Sequence, residues 1–97
     1  MSFAAAKAVQ AELERARDDA SRALNAIAGV GTGAMGLTPD GIKASPDYRA
    51  ARRAYDQRHA DLAAFNARFV KQYATELAAE RAARRQAASK GNHHDHA

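Results

Sequence analysis

The 97 residues amount to one small domain at most. They include no Cys, which excludes disulfides and thiolate metal sites, and much of the 46% hydrophobic content is Ala, which excludes a thick single-chain core. The net charge of +4 is unevenly placed: residues 1–46 balance five Lys/Arg against five Asp/Glu, whereas residues 47–90 carry ten against five. Association with another chain is then the remaining route to stability.

Ser2 is suited to cap a first helix. Apolar residues follow at Ala6, Val9, Leu13, Ala16, Ala20, Ala23 and Ile27, with Phe3 and Leu24 on the flank. Steps of three and four make a helical stripe, not a strand alternation. Glu14 with Arg17 and Asp18 with Arg22 are spaced for ion pairs. Gly29 and Gly31 end the element, so it spans residues 2–28 and runs roughly 40 Å at 1.5 Å per residue. Its small stripe residues favour a close neighbour whose side chains are large.

Gly31, Gly33 and Gly36 match G-x-G-x-x-G, but a dinucleotide site needs a strand before them and a helix directly after. Here a helix precedes and Leu37-Thr38-Pro39 follows, so the segment reads as a flexible interhelical loop over 29–45. Thr38-Pro39-Asp40 and Ser45-Pro46-Asp47 each combine a capping hydroxyl, a Pro for the first helical position and an acid for the positive helix end. The first starts a single turn before Gly41; the second starts a long helix. Met35, Leu37 and Ile42 are candidates either to cover the open end of the helix pair or to dock a partner.

The second helix is expected over about 46–89, roughly 65 Å long. It lacks any Gly, and Pro46 is its only Pro. Its stripe is Tyr48, Ala51, Tyr55, Leu62, Phe65, Phe69, Tyr73 and Leu77. The stripe drifts from a strict seven-residue repeat, as in a nearly straight helix and not a long coiled coil. Folded back, Ile27 falls near Tyr48, Leu13 near Leu62 or Phe65, and Phe3 near Phe69 or Tyr73. The fold class is therefore all-α: a two-helix antiparallel hairpin with a long second helix, completed by oligomerisation or docking. One facing helix cannot cover Tyr48, Tyr55, Phe69 and Tyr73 from all sides, so they join Met35, Leu37 and Ile42 as partner-binding candidates.

In this reading residues 76–90 overshoot the first helix and have no intramolecular partner. Arg81, Arg84 and Arg85 share a face there, with Lys71 further up and Lys90 beyond. Cations suit a helix C-terminus; they also suit nonspecific contact with a nucleic-acid backbone. The tail, residues 91–97, holds three His and one Asp; it reads as polar and, with adjacent ligands, as a weak and unselective metal binder at best. No nucleophile-and-base set is recognisable: His59 sits at the stripe's edge without a carboxylate four residues away. The expectation is a noncatalytic protein with no cofactor, no metal and no small-molecule substrate.

The segment Met35-Gly36-Leu37-Thr38-Pro39-Asp40-Gly41-Ile42-Lys43-Ala44-Ser45-Pro46-Asp47-Tyr48, with Phe65-Asn66-Ala67-Arg68-Phe69-Val70-Lys71, resembles small uncharacterised helical-hairpin proteins of tailed bacteriophages and prophages, in which Gly-Leu-Thr-Pro-Asp joins two helices. The resemblance covers residues 35–71. It implies a phage origin and a noncatalytic role, and carries over no functional residues. The chain shows no secretory pattern at Met1–Lys7 and no window near the ~18 apolar residues of a membrane span. The host cytoplasm or the virion is the expected location. The expected partners are further copies of the chain or a larger protein assembly. A nucleic-acid accessory role is the first alternative and inhibition of a host enzyme the second.

Overall fold

The computed structural model describes the backbone of residues 1–94 and the side chains of residues 1–89. It is all-helical, with no strand among the described residues. In chain order it contains α1 (Phe3–Asn25), a 3-10 turn (Ala34–Gly36), α2 (Asp40–Lys43), α3 (Pro46–Gln72) and α4 (Ala74–His94).

Capping chemistry sets the starts of both long helices. Ser2 stays extended while its hydroxyl accepts the Ala5 N–H at 3.0 Å. Ser45 does the same for α3, accepting the Tyr48 N–H at 3.3 Å, and also donates to the Ile42 carbonyl at 2.7 Å. Pro46 occupies the first helical position and Asp47 follows in the first turn. Thr38 does not repeat the device. Pro39 is the residue at the start of α2, no side chain caps it, and the Thr38 hydroxyl instead accepts the Gly31 N–H at 3.1 Å.

α1 stops at Asn25, earlier than the glycines alone predict. The chain then turns through Gly29, at φ +92°, where Ile42 packs so close that an added Cβ would lie 2.8 Å from Ile42 Cδ1. The glycine segment is more tightly tied than a flexible loop. Gly33 N–H donates to the Leu37 carbonyl at 2.7 Å, Gly36 N–H to Gly33, and Thr32 Oγ1 to the Gly29 carbonyl at 2.7 Å.

α1 and α3 run antiparallel, in the register the stripes predict. Phe3 stacks on Phe69 with ring centres 5.9 Å apart and meets Tyr73 at 5.5 Å; Gln10 Nε2 donates to Asn66 Oδ1 at 2.8 Å. Ala6 and Phe69, 1% and 4% exposed, form the centre of the core with Tyr73, and Phe3, Phe65 and Leu77 pack around them. Large rings thus rest on a small residue of α1. Near the other end Leu24 is buried and Ala23 exposed, the reverse of the predicted stripe: from Ala20 the buried side advances by four residues, not three. The local ion pairs of α1 also differ, Arg17 choosing Asp18 and Arg22 choosing Asp19.

The expected helix over 46–89 is two helices. Tyr73 leaves helical geometry (φ −114°, ψ 31°) although its N–H still donates to the Phe69 carbonyl at 3.0 Å. Neither Pro nor Gly stands at the break, so no local signal for it exists in the sequence. Tertiary contacts account for it. The bend brings Leu77 onto the aromatic cluster and Glu80 to within 2.5 Å of Lys7 on α1. The Tyr73 hydroxyl, meanwhile, donates to the Met1 carbonyl at 2.5 Å. The expectation that residues 76–90 lack any intramolecular partner therefore fails for their first turns. The molecule spans 58 × 39 × 16 Å, long and flat.

Candidate interaction site

The bend at Tyr73 creates a crook between the α1/α3 pair and α4. It is an open hollow of about 680 Å³. Its apolar surface comes from Phe69, Val70 and Leu77, and its rim from Lys7, Arg81 and Arg84. Glu80 is the acid of this rim and its carboxylate is engaged by Lys7. Val70, 53% exposed, is an apolar residue left open to solvent there. On another side of the aromatic core, Met1, Val9, Phe65 and Tyr73 border a second crevice of about 330 Å³.

The predicted partner-binding residues separate into three groups. Phe69 and Tyr73 are core residues of the chain itself, because Ala6 is small enough to admit them and the bend folds Leu77 over them; at 4% and 8% exposed they offer a partner little ring surface. Tyr48, Tyr55 and Ile42 are half-buried, Ile42 being held against Gly29. Met35 and Leu37 are the exposed pair, at 97% and 63%. Met35 also adopts φ +58°, a conformation disfavoured for a side chain of its size. The predicted basic set also divides. Arg81 and Arg84 line the crook together with Lys7, which the sequence did not group with them. Lys71 and Arg85 are exposed outside that lining. The side chains of Lys90 and of the His-rich tail beyond it lie outside the described residues.

One cluster was missed. Lys43, Tyr48, Arg49, Arg52 and Arg53 surround a shallow depression at the start of α3, also about 330 Å³. The i, i+3, i+4 spacing of Arg49, Arg52 and Arg53 was visible in the sequence. The same spacing recurs at Arg81, Arg84 and Arg85, so spacing alone does not single it out. His59 is exposed and stacks on Tyr55 at 6.0 Å, so it belongs to this aromatic flank and not to a cleft.

No family model matches the chain, and no curated protein or solved structure matches it. Among the described residues, no helix is long and apolar enough to cross a membrane.

Proposed function

We propose that the chain is a noncatalytic interaction and assembly protein, of phage origin, that completes its surface against further copies of itself or by docking on a larger assembly such as a virion. The observation that carries this reading is the surface the chain leaves open. A compact protein of 10.4 kDa exposes about 5,400 Å², whereas this chain exposes 7159 Å². The excess is about twice the ~800 Å² that one chain contributes to a standard protein–protein interface. Its radius of gyration of 19.8 Å compares with about 12.5 Å for a compact chain of this length. The phage attribution rests on the resemblance of residues 35–71, and the exposed Met35–Leu37 tip and the crook supply apolar surface for contact.

Sedimentation velocity over a hundredfold concentration range, paired with thermal unfolding, tests the reading. Association is expected, with an unfolding midpoint that rises with concentration. A monomer that unfolds cooperatively at one fixed midpoint without any partner removes it.

A further inference from the structure

The basic cluster at the start of α3 is not explained by the fold. Arg49, Arg52 and Arg53 stand at i, i+3 and i+4, where like charges repel along the helix surface. Arg49 also closes the first turn of α3, near the positive end of the helix, where a cation is disfavoured, and Arg52 and Arg53 follow one turn further in. Compensation from acids is incomplete. Arg52 pairs with Asp56 at 3.2 Å, while Lys43, Arg49 and Arg53 have no ion-pair partner among the described residues. Arg52 is further fixed over the Tyr55 ring, 5.7 Å from its centre. The result is a shallow depression with Tyr48 in its wall and cations converging from α3 and from Lys43 at the end of α2.

We propose that this depression is a second function of the chain, a site for the phosphodiester backbone of nucleic acid. Guanidinium groups present planar, paired donors that match phosphate oxygens, and three of the four cations are Arg. Arg49 and Arg53, one helical turn apart, are the two arms that reach outward; Arg52, held by Asp56 and Tyr55, positions the site. Tyr48 supplies a ring edge but no insertable aliphatic group stands among the lining residues, which favours nucleic acid over a lipid surface as the source of phosphate. Binding is to backbone and independent of base sequence. This goes beyond the assembly reading and does not depend on it.

The test is fluorescence anisotropy of the full-length chain with a fluorescein-labelled 24-base-pair DNA duplex, titrated between 50 and 300 mM NaCl. The wild-type protein binds, and log Kd rises linearly with log salt. Arg49→Ala/Arg53→Ala weakens binding about tenfold at the lowest salt and flattens the slope by about two, whereas Arg49→Lys/Arg53→Lys keeps the slope. Both positions are exposed and helical, and unchanged far-UV circular dichroism confirms that the variants fold. Three results overturn the proposal: no duplex binding at 50 mM salt, an unchanged slope in the alanine pair while Arg81→Ala/Arg84→Ala/Arg85→Ala loses binding, or cosedimentation with phosphatidylserine-containing vesicles that is abolished by the alanine pair while duplex binding is not.

Discussion

Ala6 decides whether the two long helices can approach. It is 1% exposed and lies against Phe69 and Tyr73, so there is no room for a larger side chain. Ala6→Leu should cost about 1–3 kcal/mol by overpacking, read as a lower urea midpoint at an unchanged m-value. The complementary change, Phe69→Ala, removes a ring that stacks on Phe3 and Phe65 and should cost about 3 kcal/mol, a large share of a small domain's stability. Val70→Ala, one position away on an exposed site, should fall within about 0.5 kcal/mol of the wild type. Equal losses at 69 and 70 would sink the assignment of the core. At Gly29, a side chain meets both a left-handed φ and the Ile42 methyl, so Gly29→Ala should destabilise by at least about 1 kcal/mol. These residues differ in how far the sequence disclosed them. The pairing of Phe3 with Phe69 followed from counting stripes. The contact between Gly29 and Ile42 did not, because it joins two irregular segments whose path no periodicity describes.

α1 and α3 were legible because their start signals and stripes agree: Ser2 and Ser45 cap, and Phe3, Ala6, Leu62 and Phe69 fall on the faces the spacing assigns. The break between α3 and α4 was not. Residues 70–80 contain no Gly or Pro, the weaker helix formers Val70, Tyr73 and Thr75 are interspersed with strong ones, and the backbone hydrogen bonds into and out of Tyr73 persist, at 3.0 and 2.9 Å. The bend is selected by what it brings together, Leu77 on the aromatic cluster and Glu80 on Lys7, and both contacts are distant in sequence. Leu77→Ala should therefore release α4 without unfolding α1 and α3. Hydrogen exchange would show protection falling over residues 74–82 while residues 60–70 keep theirs; uniform loss across both would place Leu77 in the shared core instead. The Lys7–Glu80 pair is part-exposed, at 45% and 34%, so Glu80→Gln should cost under about 1 kcal/mol, and less at high salt.

The long, flat form of the molecule follows from these elements. Two helices share a narrow core built on Ala, a third leaves at an angle, and the apolar residues left exposed include Val70 on α3 and Met35 and Leu37 in the connecting segment. Five hydrophobic residues are buried among those described, too few to stabilise a chain of 97 residues comfortably by themselves. Composition had already pointed to this shortage, since the apolar content is largely Ala. It did not reveal where the open surface would lie, because the crook depends on a bend with no sequence signal. The proposed assembly would answer that shortage, and sedimentation equilibrium of the untagged protein tests it. The account predicts a mass that is a multiple of 10.4 kDa, or else a monomer whose unfolding lacks cooperativity until a partner is supplied. A 10.4 kDa monomer that is cooperatively folded at every concentration would contradict it.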